Sequence, residues 1–126
     1  MHFLTLVVVD KHDGACLEPV AENICEKFED EYWDWFVIGG RWNNWLRTKD
    51  MSETDEGKRW AVIRNVDWDA VEKAAGFREP YYYISKNGEC YAIDWHSTDE
   101  EGKAEWQNFL AVQDPDDFLV IADFHN

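Results

Sequence analysis

Phe3-Leu4-Thr5-Leu6-Val7-Val8-Val9 is apolar on both faces and rich in β-branched side chains. Successive side chains of a strand point to opposite sides of a sheet, so a half-exposed strand alternates apolar and polar residues. This stretch does not alternate, which predicts a central strand covered on both sides. At seven residues it falls far short of the roughly 20 that a helix needs to cross a bilayer. The last apolar run, Phe118 to about Phe124, has the same character. The two are expected to be inner neighbours, or nearly so, in one sheet.

The chain between them supplies the other elements. Asp10-Lys11-His12-Asp13-Gly14 reads as a turn. A helix follows from Leu17 to Asp30, with Pro19 tolerated in its first turn. Leu17, Val20, Ala21, Ile24 and Phe28 fall at helical spacing and form its buried stripe. Trp35-Phe36-Val37-Ile38 are strand formers, and Gly39-Gly40 ends or bulges that strand. Arg47 to Lys58 is polar and reads as a loop. Trp60 to Val66 reads as a further strand. Asp67 is placed to cap a short helix carrying Val71 and Ala74, with Gly76 past its end.

Tyr81 to Ser85 and Glu89 to Trp95 flank Lys86-Asn87-Gly88, and Asn-Gly between two aromatic runs predicts a β-hairpin. Thr98 and Glu101 form a capping box for a helix that buries Ala104, Trp106, Phe109, Leu110 and Ala111, although Gly102 weakens it. Asp114-Pro115-Asp116-Asp117 reads as a turn. The order of strands and helices predicts an α+β fold, a mainly antiparallel sheet with two to three helices packed on it. A ferredoxin-like arrangement or an elaboration of it fits that order. At 126 residues the chain is expected to form a single domain, 1–126.

Aromatic residues make up 16% and hydrophobic ones 45%, which excludes a disordered chain. The 27 acidic and 12 basic residues give a formal charge of −15. Such a field repels nucleic acid and anionic lipid and attracts basic surfaces, so neither direct nucleic-acid binding nor membrane association is expected. Acidity can also serve solubility alone. Cys16, Cys25 and Cys90 form no CxxC pair and read as reduced, mostly buried thiols. With no basic segment after Met1-His2 to suggest a secretory signal, a cytoplasmic protein is expected.

Four of the eight tryptophans lie between Trp33 and Trp45. Within this segment Gly39-Gly40-Arg41-Trp42 could form a ligand site: glycines let backbone N–H groups approach an anion, Arg41 could hold a carboxylate or phosphate, and indoles such as Trp35 and Trp42 could stack a ring. The competing account makes the indoles core and pairs Arg41 with a local carboxylate such as Asp34.

The stretch Trp33-Asp34-Trp35-Phe36-Val37-Ile38-Gly39-Gly40-Arg41-Trp42, taken with the terminal Asp123-Phe124-His125, resembles a family of uncharacterised small proteins of bacteriophages and prophages. The family pattern is W-D-W-aromatic-x-I-G-G-R-W with a closing strand on D-x-H. Phe124 departs from the small residue common there. The resemblance implies an accessory gene of a phage or mobile element, acting in the host cytoplasm, and implies no particular activity.

Asp123 and His125 are two apart on a strand and share a face, and His2 joins them if the first and last strands are adjacent. The Asp–His pair could orient an imidazole for acid–base chemistry or supply two metal ligands. His12 lies in a turn with Asp10 and Asp13, and His96 near a helix start. No nucleophile elbow, HExxH or kinase loop is present, and no metal or cofactor is expected. On the helix after residue 16, Glu18, Glu22, Glu26 and Glu29 line the side opposite the apolar stripe, extended by Asp30 and Glu31. Carboxylates one helical turn apart, ~5–6 Å, are spaced like phosphates and could occupy a basic groove. Asp94 to Glu105 and Asp114, Asp116 and Asp117 could extend that surface. The first functional expectation is therefore a non-enzymatic acidic protein that mimics nucleic acid and inhibits a host defence or nucleic-acid-processing protein. The alternative is a nucleotide-type binding protein or hydrolase that uses the Gly-Gly-Arg-Trp segment and the terminal Asp/His pair.

Overall fold

The computed structural model describes residues 1–29, 33–52, 54–74, 77–92 and 99–126. Strand β1 (His2–Val9) and strand β6 (Phe118–His125) pair antiparallel over their whole lengths, from His2↔His125 to Val9↔Phe118. The ladder continues outward, since the Asn126 N–H donates to the Met1 carbonyl at 3.0 Å. Strand β2 (Trp35–Ile38) and strand β3 (Trp60–Val62) share the other side of β6, side by side along its length. On the far side of β1, strand β4 (Tyr82–Ile84) pairs parallel and strand β5 (Cys90–Ala92) extends the sheet antiparallel. The order is β2-β6-β1-β4-β5, with β3 off that path on β6. This is α+β, and it is compatible with an elaborated ferredoxin-like arrangement.

Both faces are covered, which is why β1 and β6 carry no alternation. Odd-numbered residues of β1 and even-numbered residues of β6 face helix α1 (Leu17–Glu26): Val7, Val9, Val120, Ala122 and Phe124 pack with Ala21, Ile24, Cys25 and Trp33. The opposite face carries helices α2 (Trp68–Lys73) and α3 (Asp99–Ala111), where Leu4, Leu6, Val8, Leu119 and Ile121 meet Trp45, Leu46, Val71, Trp106 and Phe109. Each fully buried Val, Leu, Ile or Phe among them contributes roughly 1.5–3 kcal/mol relative to exposure.

The hairpin forms as expected, with Gly88 at φ 83°. Asp67 caps α2 by accepting the Ala70 N–H. Gly76, the Thr98 capping position, His96 and residues 93–95 lie outside the described residues. Four expectations are corrected. Residues 10–14 form no simple turn: Asp10 caps a 3-10 helix over Lys11–Cys16 by accepting the His12 N–H. Helix α1 stops at Glu26, because the Phe28 and Glu29 N–H groups bond three residues back and tighten the chain. Strand β3 stops at Val62 because its partner begins at Phe118; beyond that point the Ile63 and Arg64 N–H groups go to Asp117 and Pro115, and the chain curls into a 3-10 turn. On α3, Ala104 and Ala111 are exposed, while Gly102 shares the buried face with Trp106, Phe109 and Leu110. Among its described residues the loop after Arg47 carries no strand, and it is tied down by the bridges Leu46↔Lys58 and Thr48↔Val66.

Candidate functional site

Strand β2 ends at Gly39 and Gly40, both in the left-handed region at φ 75° and 55°. At Gly40 the requirement is also one of space. A Cβ there would lie 2.6 Å from Asp123 Cβ and 2.7 Å from Val37 Cγ1. The backbone therefore presses onto β6, and the Arg41 N–H donates to Asp123 Oδ2 at 2.9 Å. The Gly-Gly-Arg-Trp turn and the terminal Asp-Phe-His strand, separate in sequence, form one unit in space.

Asp123 is 3% exposed. Its other oxygen, Oδ1, lies 2.8 Å from His2 Nδ1. The registers His2↔His125 and Trp35↔His125 put these three rings abreast on the face that Asp123 occupies one step further in. Trp35 stacks on His125 at 4.8 Å between centroids and 8° between planes, and His2 stands edge-on to His125 at 5.2 Å. His125 Nδ1 is buried and makes no hydrogen bond among the described residues; Asp34 Oδ2 is 3.7 Å away. That distance is too long for a hydrogen bond and permits only a weak ion pair. The expected trio of His2, Asp123 and His125 is thus assembled.

The other side of the same turn opens into a cleft of about 270 Å³ lined by Arg41, Trp42, Asn44, Trp45, Val71 and Phe77, among others. Trp45 is buried and stacks against Phe77 at 6.0 Å, and its indole N–H donates to the Arg78 carbonyl. The Arg78 guanidinium sits over the Trp42 ring, 5.9 Å from its centroid, a cation–π arrangement. Arg41 is exposed and has no ion pair among the described residues; Asp34, the partner first expected for it, faces His125. Arg78 and Phe77 were not singled out from the sequence. They lie far along the chain, and no local pattern links them to residue 41. The tryptophans divide: Trp33 and Trp45 are core, Trp42 is half-buried, and Trp35 is 42% exposed.

On α1 and just beyond it, Glu22, Glu26 and Glu29 are exposed without ion partners among the described residues. Glu18 is engaged by Arg59, with Nε 2.7 Å from Oε1. Asp30 and Glu31 lie outside the described residues, as does Asp94. The carboxylates after residue 113 are occupied: Asp114 by Lys11, Asp116 by Arg64, and the buried Asp117 by Lys86 and the Lys11 N–H. Among the described residues the unpaired acidic surface is therefore shorter than the sequence suggests, and it has a cation, Arg59, at one end.

Of the cysteines, Cys25 is buried, Cys90 half-buried and Cys16 exposed, which corrects the expectation for Cys16. Burial, then the neighbouring Cys90 and glutamates, pushes the Cys25 thiol well up and keeps it unreactive. His12 is exposed and its ring bonds Asp10. Among the described residues no group of three or more His, Cys, Asp or Glu is arranged to hold a metal, and no helix is long and apolar enough to cross a membrane. Comparison of the chain with protein families, curated proteins and solved structures found no match.

Proposed function

We propose that the protein binds a small ligand of nucleotide type, an aromatic ring carrying an anionic group, at the turn Gly39-Gly40-Arg41-Trp42. The observation that carries this reading is Arg41: an exposed guanidinium, unpaired among the described residues, that lines one cleft with Trp42 and Trp45. Of the chain's 12 basic residues, Lys11, Arg59, Arg64, Lys86 and Lys103 hold ion pairs; Arg41 holds none among the described residues, and what sets it apart is its place in a cleft beside Trp42. A planar fork left free beside indoles suits a carboxylate or phosphate on a stacked ring. Arg78 over Trp42 adds a second positive charge. The volume is just under the usual range of about 300–1,000 Å³, which favours one ring over a large ligand. Stacking is worth about 1–3 kcal/mol and a charged hydrogen bond about 1.5–3 kcal/mol, together enough for binding between tens of micromolar and about ten millimolar.

Tryptophan fluorescence titrated with mononucleotides and dinucleotides tests this. Quenching is expected, with affinity lost about tenfold or more in Arg41→Ala and melting unchanged. A panel without any quenching sinks the proposal.

A second reading rests on Glu22, Glu26 and Glu29, which stand exposed and unpaired among the described residues in and beyond α1. As an acidic face on a phage-like accessory protein they would dock on a basic host protein of defence or nucleic-acid processing. Reversal of all three to Lys should abolish capture of that partner, and so should high salt. Capture indifferent to both would remove this reading.

A further inference from the structure

We infer that the corner formed by His2, Asp123, His125 and Trp35 is an acid–base site that cleaves a short phosphodiester bearing a neighbouring ribose hydroxyl. The substrate class rests on the nucleotide-type reading above, whose cleft shares no lining residue with the corner and is joined to it through the Arg41 N–H on Asp123; the chemistry rests on the corner itself.

The rings of His2 and His125 stand edge to face at 5.2 Å, and their surroundings differ. Asp123 holds Nδ1 of His2. A carboxylate oxygen accepts, so in the neutral ring Nδ1 carries the proton and Nε2 presents its lone pair. Nε2 of His2 has no hydrogen-bond partner among the described residues. Asp123 is itself fixed by the Arg41 N–H, so tautomer and ring orientation are set from a buried anchor, the role a carboxylate plays behind a catalytic histidine. His125 has no such anchor; its nearest carboxylate, on Asp34, is 3.7 Å away. Two imidazoles in unlike settings a few ångströms apart suit a base and an acid acting on one centre.

A purely structural clasp between strand ends explains less. It would not leave Nδ1 of His125 buried without a hydrogen bond among the described residues, nor leave Trp35 at 42% and Val37 at 45% exposure on the same face. That exposed apolar strip beside the two rings suits a stacked base. None of His2, Asp34, Trp35, Asp123 and His125 is a Ser, Thr or Cys, so the attacking oxygen belongs to water or to the substrate. A neighbouring hydroxyl provides it at high effective concentration. The chain's charge of −15 opposes long polyanions and limits the substrate to short ones.

In the step, Nε2 of His2 takes the proton of the 2′-hydroxyl as O2′ attacks phosphorus. The O2′–P bond forms and the P–O5′ bond breaks. The imidazolium of His125 gives its proton to the departing O5′. The products are a 2′,3′-cyclic phosphate and a 5′-hydroxyl; no oxidant or reductant takes part, and proton exchange with water resets both rings.

The test incubates the full chain with a ribodinucleotide and with its 2′-deoxy counterpart, following the cyclic phosphate by chromatography and binding by tryptophan fluorescence. Cleavage of the ribodinucleotide alone is expected, with a bell-shaped pH profile. His2→Gln and His125→Gln should each lower the rate a hundredfold or more while the protein still melts cooperatively. Asp123 is a positioning residue, and Asp123→Asn should lower kcat and displace one limb of the pH profile with KM little changed. Should that buried substitution prevent folding, the two histidine variants decide alone. Cleavage equal in both histidine variants, or equal on the deoxy substrate, overturns the inference. Quenching without cleavage by the wild type also overturns it and leaves the ligand reading standing; neither quenching nor cleavage removes both.

Discussion

Gly39 and Gly40 have adjacent positive φ angles but carry different constraints. At Gly39 an added Cβ would meet the ends of flexible side chains, Asn43 Oδ1 at 2.5 Å and Arg59 Cδ at 2.9 Å. At Gly40 it would meet Asp123 Cβ and Oδ2 and Val37 Cγ1, all within 2.7 Å and all held by the sheet. The left-handed conformation alone costs a non-glycine residue roughly 1–2 kcal/mol, and forced overpacking adds about 1–3 kcal/mol. Gly40→Ala should therefore destabilise by about 2–4 kcal/mol in urea unfolding. Gly39, at φ 75° and ψ −80°, lies outside the αL well, and Gly39→Ala should cost about 1–3 kcal/mol through backbone strain. A Gly40→Ala loss of no more than about 1–2 kcal/mol would show that Gly40 serves only the turn and not the contact with Asp123. The difference also bears on function, because the Gly40 contact keeps the Arg41 N–H on the carboxylate that orients His2.

At the scale of elements, the 3-10 helix over Lys11–Cys16 is held by Asp10, whose carboxylate is drawn down to about 2 by the His12 N–H first, then by the His12 ring and Lys86. The folded value is below the ordinary 3.8, so this contribution is present above that value and is lost as pH falls toward 2. Tyr83 on β4 behaves in the opposite sense. Burial first, then the Glu105 carboxylate, pushes it up to about 12, so its contribution is complete below pH 10 and is lost as pH rises through 12. Thermal melts should show an acid loss between about pH 4 and 2 that is reduced in Asp10→Asn. They should also show an alkaline loss that is reduced in Tyr83→Phe. An acid limb identical in Asp10→Asn would sink the assignment. The elements legible in the sequence were those encoded locally: the unalternating β1, the apolar stripe of α1, and the hairpin whose Gly88 supplies its own left-handed turn. The illegible features were set by partners distant in sequence. The end of β3 depends on where β6 begins, and the cleft beside Arg41 depends on Phe77 and Arg78. The Asp–His pair was visible as same-face spacing, but its anchoring by the Arg41 backbone was not, since backbone donors leave no mark in side-chain patterns.

At the scale of the whole molecule, the charge of −15 acts on every partner, and its reach separates the two readings of function. Exposed charges are screened beyond about 8 Å at physiological ionic strength, whereas contacts at hydrogen-bond distance are weakened much less. An anion bound at Arg41 gains a contact at hydrogen-bond distance and is opposed by the long-range field of the net charge. Added salt therefore screens more repulsion than attraction for such a ligand. A basic protein docking on Glu22, Glu26 and Glu29 is in the reverse position, drawn in by the long-range field that salt removes. Between about 10 mM and about 150 mM salt, nucleotide affinity followed by tryptophan fluorescence should stay level or rise. Affinity for a basic partner over the same range should fall tenfold or more. Nucleotide binding that collapses with salt would place the ligand on a diffuse charged surface and not on the Arg41 fork. The same screening should raise the melting temperature of the free protein, because a surplus of like charge disfavours the compact state. A melting temperature indifferent to salt would mean that the local pairs, such as Arg59 with Glu18 and Lys86 with Asp117, already offset that surplus.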